Sequence, residues 1–319
     1  MKIAYLYAGQ GAQHAGMGRD LYEKEPVFRT AFDAGELDFD RHRVCFEDPE
    51  DQLIQTQFTQ PCMTAVALGI TDVLRENGVR PDYAAGLSLG EYAALYASGV
   101  WNAAQTMETV AFRGKAMQEA SAGLDCAMTA VLGMEEQELQ KCCDQAAEES
   151  GKVVSICNYN CPGQLVIGGE KKAVELAGAL AKDSGARRCV PLAVSGPFHT
   201  SLMKPAGDAL QDYFTRLPFA PMQVPVLFNC LGREKKDTDS IAELLVRQVQ
   251  SSVRMEDTIR RLLELGVDTF VEIGPGRTLS GFVRKTAKAV STEVQNLFNV
   301  ETEEDLQSFL AWYHESARG

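Results

Sequence analysis

The chain is predicted to be an α/β protein whose mostly parallel sheet is interrupted by a smaller inserted unit. Three observations carry that expectation. Short, continuous apolar runs alternate with helix-period segments through most of the 319 residues, the pattern of strands buried on both faces. From about residue 125 the alternation changes to β-α-β-β-α-β, which folds as a four-stranded sheet with two helices on one face. After about residue 195 the simple alternation resumes. The expected domains are therefore a main body over 1–124 and 195–319 and an inserted subdomain over 125–194.

Taken in order, IAYLYA (3–8) is a first buried strand. Its six apolar residues are too few for the core of a signal peptide. A helix is expected over 16–32, followed by a polar, poorly periodic stretch to about 57. TQPCMTAVALGITDVLRENG (59–78) is a helix with Pro61 near its first turn and Gly78 as its stop. YAAGL (83–87) is a short strand, with a helix from Ser88 to about Ala97 and another over 102–121. In the insertion, CAMTAVLG, VVSICNYN, QLVIGGE and RRCVPLAV are the strands, and EEQELQKCCDQAAEES and KKAVELAGALAKDSG the helices. PVLFNC (225–230) is a strand, two helices cover about 239–265, and VDTFVEIG (267–274) is a strand. GPGRTLSGFVRKT opens a helix, QNLFNV is a last strand, and 302–313 a last helix.

Composition narrows the function. With 31 basic against 44 acidic residues the formal charge is −13, a sign that repels phosphate backbones and argues against nucleic acid as a partner. No apolar stretch approaches a membrane span. The nine cysteines contain no C-x-x-C pair and only four histidines stand beside them, so no metal site is expected. An odd cysteine count without an export signal fits a reducing cytoplasm. Nothing demands an oligomer, and a monomer is expected.

Phosphate-cradling motifs fail. In AGQGAQHAGMG the third glycine of G-x-G-x-x-G falls at His14, and GPGRTLSG fails in the same way. Ser88 is better placed, between Gly86 and Gly90 where an apolar strand turns into a helix. It reads either as a cap of that helix or as a nucleophile on a sharp elbow, with the amide of Leu89 beside a developing oxyanion. A nucleophile needs a base. His14 lies in the first loop, His42 between Arg41 and Arg43, and His314 near the end; His199 follows the last strand of the insertion, beside Phe198. A lone histidine can equally be structural. Arg113 lies on the apolar stripe of its helix with Val110 and Met117, either snorkelling or reserved for a ligand carboxylate.

Seven segments occur together and in order: GQGAQ, GLSLGEYAAL, FRGKAMQ, NYNCPGQLVI, SGPFHTSLMKPA, LLVRQVQSSVR and VEIGPGRTLSG. In these the chain resembles the malonyl-CoA:acyl carrier protein transacylases, acyltransferases of fatty-acid and polyketide synthesis, over about residues 3–300. The resemblance implies a serine-hydrolase-like main body with a ferredoxin-like (βαββαβ) insertion. It implies transfer of malonyl from coenzyme A to the phosphopantetheine thiol of acyl carrier protein, with no permanently bound cofactor.

Carried over motif by motif, Ser88 is the nucleophile and His199 the general base. The backbone amides of Gln10 and Leu89 form the oxyanion hole, and Arg113 grips the malonyl carboxylate. Gln248 orients His199 through its main-chain carbonyl, Asn160 lines the cleft, and Phe198 favours malonyl over methylmalonyl. Two positions depart from the family pattern: Leu87 stands where G-H-S-x-G has histidine, and the first loop is A-G-Q-G-A-Q where P-G-Q-G-S-Q is common. Two rival readings remain. An α/β-hydrolase with the order Ser…Asp…His would have to use His314 and leaves Arg113 without a purpose; the other is a non-catalytic interaction domain.

Overall fold

Described over residues 1–316, the computed structural model forms two compact units. The first comprises Met1–Gly114, Phe219–Leu227 and the chain from Arg260 onward; the second comprises Lys115–Pro218 and Phe228–Ile259. The strands among the described residues are β1 (Ile3–Tyr7), β2 (Tyr83–Gly86), β3 (Cys126–Leu132), β4 (Val154–Cys161), β5 (Gln164–Glu170), β6 (Arg188–Pro191), β7 (Leu227–Phe228), β8 (Arg233–Glu234), β9 (Val253–Arg254), β10 (Thr269–Ile273) and β11 (Asn296–Val300). The α/β class expected from the sequence is the class observed.

In the first unit the sheet order is β11-β10-β1-β2, every pair parallel. All five residues of β1 and all five of β10 are buried, as a parallel sheet covered on both faces requires. The charged exception inside β10 is Glu272. Its carboxylate accepts from the amides of Leu279 (2.9 Å) and Ser280 (2.7 Å), in the first turn of the helix Thr278–Ala289. The strand thereby caps the helix that its own connecting loop leads into, satisfying amides that have no intrahelical acceptor.

The second unit holds the expected β-α-β-β-α-β order. β3 pairs antiparallel with β5 and β6, and β4 antiparallel with β5. The helices Glu136–Ser150 and Lys171–Asp183 contribute Leu139, Cys143, Ala146, Val174 and Ala177 to a core shared with Val131, Ile156, Leu165 and Ile167 of the strands. A fifth strand, β9, adds to β4 in parallel; two residues long, it carries no readable strand pattern.

Five of the differences from the sequence reading have a clear local cause. The helix over 16–32 is two helices, Arg19–Lys24 and Pro26–Phe32, because Glu25 before Pro26 is extended (φ −105°, ψ 104°). The polar stretch to 57 contains a helix, Arg41–Phe46, whose N-cap Asp40 accepts from Arg43 N at 3.0 Å. The next helix begins at Thr56, so Pro61 lies inside it and brings no N–H to the helical ladder. The helix expected from Ser88 begins at Gly90. The strand expected over 225–230 shrinks to a parallel bridge, Ala84 with Val226, and the two residues of β7; Pro225 offers no N–H to a ladder.

No helix among the described residues is long and apolar enough to cross a membrane. All nine cysteines are free thiols.

Candidate active site

The GLSLG segment forms a forced turn at the end of β2. Leu87 N donates to Tyr7 O at 3.0 Å, prolonging the β1–β2 ladder by one bond. Ser88 then adopts φ +53°, in the left-handed region, and the helix Gly90–Ala97 starts two residues later. A non-glycine residue held there costs about 1–3 kcal/mol and persists only where its surroundings impose it. The surroundings do. A Cβ on Gly86 would lie 2.0 Å from the carbonyl carbon of Gly90, and one on Gly90 would lie 2.2 Å from Tyr7 O. Both flanking glycines are there because backbone meets backbone. Ser88 does not cap the helix: the N-cap is Leu89, without a side-chain cap bond.

The Ser88 hydroxyl instead accepts from Arg113 Nη2 at 3.1 Å. Arg113 is fully buried, and its Cζ lies 5.1 Å from the centroid of the Tyr92 ring. Burial pushes the guanidinium pKa below its ordinary value, while Tyr92 and Glu91 act in the opposite direction. A guanidinium nevertheless keeps its charge in proteins. The first unit thus sets a cation against a half-buried serine hydroxyl.

The GQGAQ loop runs beside this turn. A Cβ on Gly9 would sit 2.6 Å from Leu87 O and 3.0 Å from Leu87 Cγ, so the backbone entering Gln10 is laid against the elbow. Gln10 Nε2 donates to Thr56 Oγ1 at 3.2 Å, Gly11 N to Gln13 Oε1 at 2.7 Å, and Gln13 Nε2 to Leu53 O at 3.2 Å. The loop is therefore anchored by the side chains of Gln10 and Gln13. Leu89, preceding the helix, belongs to the residues whose amides have no intrahelical acceptor.

The second unit assembles His199 with Gln248. His199 also has a left-handed backbone, φ +61°, and is 5% exposed. Its backbone N–H donates to Val249 O at 3.2 Å, and its Nδ1 lies 2.8 Å from Gln248 O. A carbonyl only accepts, so Nδ1 carries the proton and Nε2 the lone pair of the neutral ring. Thr200 Oγ1 donates to Pro197 O at 2.6 Å and closes the turn. A Cβ on Gly196 would meet Ser121 Oγ at 2.1 Å and Phe198 Cε1 at 2.6 Å; this glycine admits the buried Phe198 ring. Asn160 is 8% exposed on β4, where the register to β5 shifts between Tyr159 and Cys161. Such a bulge redirects a side chain.

The other histidines have different surroundings. His14 pairs with Glu301 at 2.7 Å and His42 with Asp33 at 2.8 Å, both at the surface, and His314 is exposed. Reading the sequence missed Tyr92, which lies under Arg113, and Thr56, which holds Gln10. The aromatic next to Glu91 in an otherwise apolar helix was the one available signal for the former; a threonine at a helix start gives none for the latter.

Residues 4–311 match the family model described as the acyl transferase domain. The malonyl CoA-acyl carrier protein transacylase of Bacillus subtilis is 41% identical over 293 residues, 91% of this chain and 92% of that protein. The crystal structure of the transacylase of the same name from Clostridium perfringens superposes with a TM-score of 0.93 at 37% identity, covering 99% of this chain and 98% of that one. A malonyl-transacylase solved in complex with a type II PKS acyl-carrier protein gives a TM-score of 0.91 at 37% identity, covering 98% of this chain and 99% of that one. The chain belongs to the acyl transferase domain family and, within it, to the malonyl-CoA:acyl carrier protein transacylases.

Proposed function

We propose that this enzyme moves malonyl from coenzyme A to the phosphopantetheine thiol of acyl carrier protein in two steps, through a malonyl ester on Ser88. The observation that carries the reading is the 3.1 Å bond between Arg113 and Ser88. In a malonyl group one methylene separates the reacting carbonyl from the free carboxylate. A cation that is to hold that carboxylate during attack must therefore stand next to the nucleophile. Arg113 does.

In the first step Ser88 Oγ forms a bond to the thioester carbonyl carbon and gives its proton to Nε2 of His199. The amides of Gln10 and Leu89 stabilise the tetrahedral oxyanion, each contributing about 10²–10³ in rate. Collapse breaks the C–S bond, and His199 returns the proton to the departing coenzyme A thiol. In the second step His199 takes the proton of the carrier-borne thiol, whose sulfur attacks the ester carbonyl; collapse breaks the C–O bond to Ser88 and His199 returns the proton to Ser88 Oγ. The Gln248 carbonyl keeps His199 in the required tautomer and stabilises the imidazolium, the part an aspartate plays in a triad. This route uses only side chains and backbone amides, with phosphopantetheine arriving on the partner.

Specificity follows from the same residues. An acetyl group brings no carboxylate to Arg113 and so forgoes that charged hydrogen bond, which disfavours that substrate. Phe198 crowds an α-methyl group and so favours malonyl over methylmalonyl, and Asn160 lines the substrate path. Nine thiols and no disulfide support a reducing, cytoplasmic setting.

The test is the intact mass of the protein after mixing with malonyl-CoA. Wild type gains one malonyl group and Ser88→Ala gains none; a normal adduct on the variant would remove Ser88 from the mechanism. Competition among malonyl-, methylmalonyl- and acetyl-CoA, with carrier protein as acceptor, measures the specificity.

A further inference from the structure

The first unit contains a second concavity, at the end of β2 opposite to Ser88. The chain enters β2 through Val79–Pro81, which line this cavity, and leaves it past Gly86 towards Ser88. The cavity encloses about 510 Å³, and Tyr5, Arg75, Arg80, Tyr96, Trp101 and Asn102 are among its lining residues. None of them belongs to the transfer machinery proposed above.

Tyr5 is 1% exposed, and its hydroxyl has no hydrogen-bond partner in the protein. Its neighbour in β1, Tyr7, shows the usual solution: that hydroxyl shares a 2.9 Å bond with Thr71 Oγ1. A buried hydroxyl lining a cavity and lacking such a partner is a donor waiting for an acceptor. Burial, the largest influence, holds the Tyr5 pKa well above its ordinary value, against the opposing charges of Arg75 and Arg80. Tyr5 therefore keeps its proton at neutral pH, with two guanidinium groups in its field.

Those guanidinium groups differ in role. Arg75 is fixed: Nη1 donates to Asp72 Oδ1 at 2.5 Å, and its Cζ lies 5.1 Å from the centroid of the Tyr96 ring. Tyr96 in turn donates to the same Asp72 oxygen at 2.6 Å. Arg80 is exposed on the entry side. Asp72 offsets one of the two charges, and the other is left for a ligand in a protein whose formal charge is −13. A buried hydroxyl donor, an exposed cation and two aromatic residues lining one cavity describe one kind of guest.

We propose that this cavity binds a small organic oxyanion, a phosphate or carboxylate carried on a flat ring. Arg75, Arg80 and the Tyr5 hydroxyl hold the anion, and Tyr96 and Trp101 flank the ring. Tyr96 is in the last turn of the helix Gly90–Ala97, so occupancy stiffens the far end of the helix that begins at the Ser88 elbow.

The experiment titrates the enzyme with phenyl phosphate, with benzoate and inorganic phosphate as separate arms, both as it stands and in an Arg113→Ala variant, which removes the cation of the transfer site and should leave binding at the cavity unchanged. The readout is the fluorescence of Trp101 in a Trp312→Phe background, since the chain has only these two tryptophans. A saturable change with phenyl phosphate or benzoate is expected, the tighter of the two identifying the anion, and inorganic phosphate is expected to bind about tenfold more weakly for lack of a ring. Arg80→Gln and Tyr5→Phe should each weaken binding about tenfold. Arg80 is exposed and the Tyr5 hydroxyl has no protein partner, so both variants should keep their fold and malonyl transfer. No saturable change with either ring compound, equal binding of inorganic phosphate, or unchanged affinity in both variants would overturn the proposal.

Discussion

In the first unit the guanidinium of Arg113 and the hydroxyl of Ser88 share a 3.1 Å hydrogen bond. The cation is fully buried, and the Tyr92 ring lies beneath it. On the proposed mechanism the arrangement couples two tasks, because the side chain that reads the acyl group also touches the atom that receives it. Arg113→Ala is therefore expected to lower kcat/KM for malonyl-CoA by about ten- to a hundredfold, the worth of a charged hydrogen bond, while acetyl transfer is kept or rises. Parallel losses for both acyl groups would make Arg113 a structural residue.

His199 is held through a main-chain carbonyl, Gln248 O at 2.8 Å, and the amide side chain of Gln248 is not the atom that orients the ring. Gln248→Ala should keep kcat within about threefold of wild type, although the loss of a buried side chain costs stability, of the order of 1–3 kcal/mol. His199→Ala should lower kcat by at least about 10²-fold. A comparable fall in Gln248→Ala, with its melting temperature preserved, would transfer the orienting role to the side chain.

His14, in the loop that carries Gln10, is raised in pKa chiefly by its hydrogen bond to Glu301, against a smaller effect of burial. A folded-state pKa above the unfolded one gives stability that is fully present below the ordinary histidine value of 6.5 and is lost as pH rises through the folded value. Urea midpoints of wild type and His14→Gln should differ at about pH 5.5 and converge at about pH 8.5, where the pair is neutral on one side. A difference that grows with pH would contradict the pairing.

The enzyme carries a formal charge of −13, so docking of an acidic carrier protein, the partner that the family resemblance implies, calls for local positive charge. Arg187–Arg188 in the second unit and Arg284, Lys285 and Lys288 in the first are the basic clusters proposed for it. Reversal to glutamate is expected to raise KM for carrier protein several-fold, more at low salt, and to leave KM for malonyl-CoA unchanged. Kinetics indifferent to the reversals would remove these clusters from the docking surface.

The sequence made the elbow legible because its cause is local: an apolar strand, two glycines and a serine within eight residues leave few conformations. The helix start did not follow from it, since the left-handed Ser88 (φ +53°) displaces the first helical residue to Gly90. Arg113 was visible as a cation on an apolar stripe. Tyr92 was not, because an aromatic there looks like ordinary core. The bond from Gln248 is invisible to any side-chain pattern, as a backbone carbonyl is available to every residue; family resemblance pointed to it. The short elements Arg41–Phe46 and Val253–Arg254 escaped because fewer than two turns or three strand residues establish no period.

The crowding around the elbow sets which letters of GLSLG are open to change. At positions 86 and 90 any substituent collides with main chain, so a library that varies them selects among misfolded proteins and reports nothing about chemistry. Position 87 is different: Leu87 is only half-buried, and its side chain covers Gly9. Engineers seeking new acyl donors should place diversity there and leave the glycines untouched.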